Sequence, residues 1–259
     1  MSTSIMHPRR GRLLRWTLGP LFALVSILAL APGALAAPRA TTNLPSWELL
    51  PPPSAAAFYG LAVVDRNVVW IGSDGTVLRT VNGGRTWHDV TPPGTEGLLH
   101  FHDLQAFDAD HAVAMTVGSG TSSRIYRTAD GGQSWRLVFQ AADPDFYFDA
   151  MAFFDNRRGL AFSDPVDGKF QIVGTIDGGR SWTLLPTDGM PPALPNEFGI
   201  ATGTSLTTSG TDAWFGSAFG ASRIFHSRDG GYTWDVRPTP IVNTPALGAG
   251  IFSLAFRTD

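Results

Sequence analysis

The sequence predicts an all-β fold, a β-propeller of four-stranded blades, and three observations carry that expectation. An octapeptide of the pattern Thr/Ser-x-Asp/Asn-Gly-Gly-x-Ser/Thr-Trp stands at 80–87, 128–135, 175–182 and 227–234. Its tryptophans, Trp87, Trp135, Trp182 and Trp234, lie 48, 47 and 52 residues apart, a period that belongs to propellers rather than to the shorter rungs of most solenoids. Between them run short strand-like segments divided by Gly- and Asp-rich turns, and beyond the first 36 residues no dozen-residue window shows the three-and-four apolar spacing of a helix.

Residues 1–36 read as a secretory signal to be set aside before fold reasoning. Arg9, Arg10, Arg12 and Arg15 precede an apolar run over 18–30, and Ala34-Leu35-Ala36 offers the small residues a signal peptidase reads. The run is short and interrupted by Pro20, with Pro32 just beyond it, so no stable membrane span is expected once the signal is cleaved, and the place of action is expected to be periplasmic or extracellular. Removing the leader lowers Lys+Arg from 19 to 15 against 22 acidic residues, a net charge of −7. That sign repels phosphate backbones, so nucleic acid is excluded as a partner. There is no cysteine, hence no disulfide and no lipid-anchoring thiol.

After a lead-in over 37–45, the propeller domain is expected to occupy 46–259. Residues 46–51 match 181–186 at five of six places and read as the last strand, D, of a blade. Full repeats follow from Tyr59. In the second, strand A is expected over 103–107, B over 111–117, C over 124–128 and D over 134–139. The third repeat spans 148–185 and the fourth 198–236, with Trp70 and Trp214 at equivalent places in strand B of the first and fourth. Residues 250–256 read as strand A of a fifth blade. The expectation is a truncated propeller, four blades with a single strand at each end, about two to three blades short of a typical ring and left with an open edge.

Turn chemistry explains the octapeptide. Asp130, Asp177 and Asp229 can accept bonds from N–H groups of their own turns, and Asn82 does the same without charge. The glycine pairs Gly83 and Gly84, Gly131 and Gly132, Gly178 and Gly179, and Gly230 and Gly231 supply positive φ, while each Trp buries a large apolar face. Carboxylates repeated identically in every blade are structural, and no catalytic role is assigned to them. These residues resemble the Asp box, or bacterial neuraminidase repeat. Over 46–256 the sequence resembles the photosystem II stability and assembly factor family, on those turns and on segments such as Gly159-Leu160-Ala161-Phe162-Ser163-Asp164. The resemblance implies a non-enzymatic propeller that binds a protein partner in the cell envelope.

Glycosidases share such propellers, so carbohydrate chemistry is the rival reading. A sialidase would resemble its family further in an Arg-Ile-Pro, which is missing, and in a Tyr nucleophile paired with Glu; the four tyrosines occupy strand, turn or strand-start positions, and only Glu48, Glu96 and Glu197 are available. There is no G-x-S-x-G, no H-E-x-x-H and no phosphate-binding loop, so no catalytic residue and no cofactor is assigned.

Function is instead sought in the D-to-A and B-to-C loops, which share the face opposite the octapeptide turns. Candidate partner-binding residues there are His100, His102 and Asp103, then Asp145 and Asp149, then Asn196 and Glu197. The two imidazoles of His100-Phe101-His102 fall on one side of an extended segment, yet rim histidines are usually solvated, and no metal site is assigned. Residues 164–169 read as the longest B-to-C loop, with Asp164, Asp167 and the only lysine, Lys169, arranged around a type I turn.

Overall fold

A computed structural model describes residues 48–49, 56–241 and 248–256. The signal, the lead-in and most of the expected strand at 46–51 lie outside the described residues. Four antiparallel four-stranded sheets follow one another along the chain. Blade one is β1 (Phe58–Val63), β2 (Val69–Ser73), β3 (Thr76–Thr80) and β4 (His88–Asp89). Blade two is β5 (His100–Ala106), β6 (Ala112–Val117), β7 (Arg124–Thr128) and β8 (Arg136–Gln140). Blade three is β9 (Phe148–Phe153), β10 (Gly159–Val166), β11 (Lys169–Thr175) and β12 (Thr183–Leu184). After β13 (Glu197–Phe198), blade four comprises β14 (Leu206–Ser209), β15 (Asp212–Gly216), β17 (Arg223–Ser227) and β18 (Asp235–Pro238), with β16 (Ala218–Phe219) pairing β13 in a small separate sheet. In each blade the strands pair in chain order, the meander of a propeller blade. Among the described residues no helix is long and apolar enough to cross a membrane.

The core lies between blades. Alternate side chains of one strand serve two neighbours: Ala112 and Ala114 pack with Trp70, Phe101 and Tyr126 toward blade one, while Val113 and Met115 pack with Phe148, Met151 and Val173 toward blade three. This is why β6 is buried throughout instead of alternating apolar and polar. Between blades three and four, Phe162, Phe170, Phe215 and Phe225 form an aromatic stack whose members each contribute about 1.5–3 kcal/mol by burial. Three of the octapeptide tryptophans drive into the same seams. Trp135 reaches back to blade one and donates its Nε1–H to the Val90 carbonyl at 2.7 Å, and Trp182 and Trp234 fill the next two seams.

Three sequence expectations need correction. Strand A of blade four starts at Leu206, not Phe198, because Phe198 is drawn off to pair with Ala218. The 164–169 stretch is mostly strand: β10 and β11 run on to a two-residue connection whose Asp167 and Gly168 have φ of 51° and 76°. Both angles are left-handed, which makes the turn type I′ rather than type I, because only the primed turn matches the twist of a tight hairpin. Residues 250–256 form no continuous strand; Gly250 bridges Ala218 and the Ile251 N–H bonds the Ser217 carbonyl, so this segment lies along blade four.

Candidate functional site

The four octapeptide turns are built alike. In the second, the Thr128 hydroxyl donates to Asp130 Oδ1 and accepts from the Gly132 N–H, while the Ser134 N–H and hydroxyl donate to the two oxygens of Asp130. The same bonds recur at Asp177 and Asp229. At Asn82 the amide oxygen accepts as a carboxylate would, and its Nδ2 donates to Thr86 Oγ1 at 2.8 Å. The eight glycines of these turns all have positive φ. Bonds from Ser134 and Thr128 hold the Asp130 carboxyl at about 2. These groups are fully occupied by their own turns.

Between blades, Arg79 Nη1 and Arg127 Nε each donate to the first turn-glycine carbonyl of the next blade, Gly131 and Gly178, at 2.9 and 3.0 Å. Gly174 holds the corresponding place in blade three. Among the described residues no guanidinium clamps blade four there, and a cleft of about 370 Å³ is lined by Gly174, Leu160, Tyr232, Gly230 and Arg158.

On the opposite face the structure gathers three groups. His100 and His102, at the start of β5, meet Asp74 from the β2–β3 turn, a residue that sequence reasoning missed. Asp74 and His100 are cross-strand partners in an isolated bridge, and His100 Nδ1 lies 2.6 Å from Asp74 Oδ1. His102 Nε2 lies 3.8 Å from the same oxygen, its Nδ1 is 3.1 Å from the Ala201 carbonyl, and its ring stacks on Tyr59 at 4.3 Å. These three residues could hold a metal ion, since one donor atom from each lies within 4.8 Å of the others.

The second group is carboxylic. Asp103 is buried, accepts the N–H groups of Leu104 and Met151, and is pushed up to about 8 by burial against the pull of those bonds. Asp149 is buried, with Oδ2 lacking any hydrogen-bond partner; burial, then the neighbouring Asp164, raise it well above the usual range. Burial takes Asp164 to about 6 although it accepts the Gly199 N–H at 2.7 Å.

In the third group, Glu197 is buried and accepts from the Arg223 guanidinium at both oxygens, from Ser217 Oγ, and from the Leu194 N–H at 2.7 Å. This ion pair braces β13 and β16, from which Phe198 and Phe219 project half-exposed with ring centroids 6.3 Å apart. Asn196 and Phe219 hold φ of 58° and 68°, strained values for residues with a Cβ, most of all for a bulky one. With Pro195, Asn196 and Gly220 the two rings line a cleft of about 420 Å³.

The remaining candidates stay apart from these groups. Lys169 Nζ donates to the Thr187 carbonyl, Asp167 occupies the hairpin tip, and Asp145 donates its N–H to the Asp143 carboxylate in an exposed turn.

No family model matches the sequence, and no curated protein matches it. Among solved structures the chain is similar to an ancestral GH74 enzyme (TM-score 0.49, 16% identity over 70% of this chain and 25% of that one) and to the GH74 enzyme of Niastella koreensis (0.47, 17%, 69% and 24%). It is also similar to YCF48 bound to D1 peptide (0.29, 17%, 71% and 83%). The chain spans about a quarter of the length of the two GH74 enzymes. Its own sheet order and seam packing define an all-β protein of β-propeller blades.

Proposed function

We propose that this chain is an exported, non-enzymatic propeller that holds a protein of the cell envelope on its loop face. The observation that carries the reading is the braced aromatic cleft of Phe198 and Phe219. Two half-exposed rings, fixed over a buried ion pair and set beside Pro195, supply the rigid apolar anchors that concentrate binding energy at a protein interface. The resemblance of the octapeptide turns to the assembly-factor family leads the same way. One observation favours carbohydrate chemistry instead: Asp149 and Asp164 are neighbouring carboxylic groups with raised pKa values, and such groups cluster at sites of proton transfer.

A cross-linking pull-down from cell-envelope extract separates the two. The bait is tagged protein beside a variant with Phe198→Ala and Phe219→Asn, the asparagine chosen because it tolerates positive φ. A protein enriched by the wild type and lost with the variant, with circular dichroism unchanged, is the expected result. Retention of glycans with no protein, or glycan hydrolysis lost on Asp164→Asn, would replace this reading with the carbohydrate one. The leader is tested by mass spectrometry of the exported chain, with a new amino terminus at residue 37 expected.

A further inference from the structure

Three features make the Asp74, His100 and His102 cluster more than a hydrogen-bonded trio. The first is the protonation pattern. His102 Nδ1 faces the Ala201 carbonyl, which can only accept, so that nitrogen carries the proton and a neutral ring keeps its lone pair on Nε2. Nε2 in turn faces Asp74 Oδ1 at 3.8 Å, also an acceptor. A proton on Nε2 or a metal ion between the two atoms would each satisfy that pairing, and only the metal ion would also engage His100. The second feature is orientation: a backbone carbonyl on the far ring nitrogen is how protein metal sites fix the tautomer and angle of a ligating histidine, and Tyr59 clamps the same ring face-on. The third is backbone preorganisation. Asp74 and His100 are locked opposite each other by an antiparallel bridge, with the Gly75 N–H bonded to the Leu99 carbonyl at 2.7 Å, and the bulge at His102 brings its ring to 6.2 Å from that of His100.

We propose that Asp74, His100 and His102 form a binding site for one divalent transition-metal ion, with zinc the best-suited occupant. Two imidazoles and one carboxylate are a borderline donor set, suited to zinc, cobalt or nickel rather than to calcium or magnesium, which take oxygen shells. Tetrahedral ligands about 2.0–2.1 Å from zinc stand roughly 3.3 Å from one another. The two N-to-O separations here, 2.6 and 3.8 Å, fall on either side of that figure, and the three donor atoms all lie within 4.8 Å of one another. The metal displaces the proton held between His100 and Asp74 and releases it to solvent. His102 is the partly buried ligand, held by the Ala201 carbonyl and Tyr59, while the side chains of His100 and Asp74 are about half exposed, which gives an ion its entry path. Three protein ligands leave a fourth position open, for water or a donor group from outside the chain.

The test uses tag-free full-length protein stripped with chelator and titrated with Zn²⁺ by calorimetry and with Co²⁺ by visible absorption at pH 7.5. One ion per chain is expected, with a cobalt spectrum of low coordination number. Affinity should fall by at least about tenfold in Asp74→Asn, His100→Gln and His102→Gln. His111→Gln is the control: His111 meets Asp108 at 2.9 Å with no third ligand among the described residues, and its loss should leave binding unchanged. Asp74→Asn changes only an exposed side chain, so its result does not depend on tolerance of the histidine changes. Absence of saturable binding to the wild type would overturn the proposal, as would wild-type affinity in Asp74→Asn, or binding lost equally in the His111 control.

Discussion

On the turn face Asp130, Asp177 and Asp229 sit at the surface, each oxygen occupied by hydroxyl and N–H donors, and all three are shifted below the ordinary carboxylate value. For Asp177 and Asp229 partial burial pushes upward and is outweighed by those bonds. On the loop face Asp103, Asp149 and Asp164 are withdrawn from water with fewer donors, and all three are shifted upward. One residue type is thus saturated on one side of the blades and underbonded on the other. A saturated carboxylate has little left to offer a ligand; an underbonded buried one is held at a cost in stability.

Glu197 breaks the pattern, because it is a loop-face carboxylate that is saturated. Glu197→Ala leaves Arg223 without its partner in a nearly dry setting, and a loss of about 3–5 kcal/mol is expected in denaturant unfolding. Glu197→Gln keeps the shape and part of the bonding and should cost clearly less. Equal losses in the two would show that packing, not the ion pair, braces the Phe198 and Phe219 cleft.

The turn face is sharpened by its glycines. At Gly132 φ is +85° and a Cβ would stand 2.5 Å from the Val90 Cβ, so Gly132→Ala combines left-handed strain with overpacking, about 2–4 kcal/mol together. Gly168, at φ +76° in the loop-face hairpin, has open space where its Cβ would go, and Gly168→Ala should cost only the strain, about 1–2 kcal/mol. Thermal melts of the pair check the order; similar losses would mean that the blade seam yields easily at Val90.

Repetition is what made this much of the fold legible. The octapeptide fixed four hairpins, and the strand order followed, because in a meander each strand can pair only with its chain neighbour. What failed was local. Phe198 carries a strand-like sequence, but its partner, Ala218, is 20 residues away across the blade, and the 164–169 stretch looked like a loop because Pro165 and Asp167 are poor strand formers that a bulge and a tight turn accommodate. The loop-face chemistry was half visible: the nearness of the two imidazoles is legible in His100-Phe101-His102, whereas Asp74 sits in an ordinary Ser-Asp-Gly turn 26 residues earlier and becomes a neighbour only through the inter-blade bridge. Glu197 read as a candidate partner-binding residue because nothing local announces its ion pair with Arg223.

The underbonded side of the comparison can be tested by removing charge without volume. Asp149→Asn replaces a buried acid whose Oδ2 has no donor. Because the folded value of Asp149 lies above its ordinary 3.8, the folded chain keeps a proton that the unfolded chain releases. Its stabilising contribution is full below about pH 4 and drains away as pH rises through the folded value. Asp164 and Asp103 behave alike up to about pH 6 and pH 8. The wild type should therefore lose stability between about pH 4 and 8. Asp149→Asn should recover about 1–3 kcal/mol at the upper end and flatten that limb, measured by urea unfolding across the range. An unchanged slope would mean that the acid is solvated in the folded state.

The smallest effect is expected on the saturated side, in Asp130→Asn, because the chain already contains the substitution. At Asn82 the amide oxygen accepts from Thr80 Oγ1 and from the Thr86 N–H at 3.0 and 2.9 Å, while Nδ2 donates to Thr86 Oγ1, so the hydroxyl accepts where Ser134 donates. Asparagine at 130 can adopt the same reversed bond with Ser134, leaving the hairpin intact and the melting temperature nearly unchanged at neutral pH. The difference should appear only in acid. Asp130 is depressed to about 2, so its contribution is present above the ordinary value near 3.8 and is lost as pH falls through the folded value. Removing the charge should flatten the stability curve between about pH 4 and 2 and nowhere else. A large loss at pH 7 would show that the turn depends on charge as well as on hydrogen bonds, and the first turn would then have to be the weakest of the four.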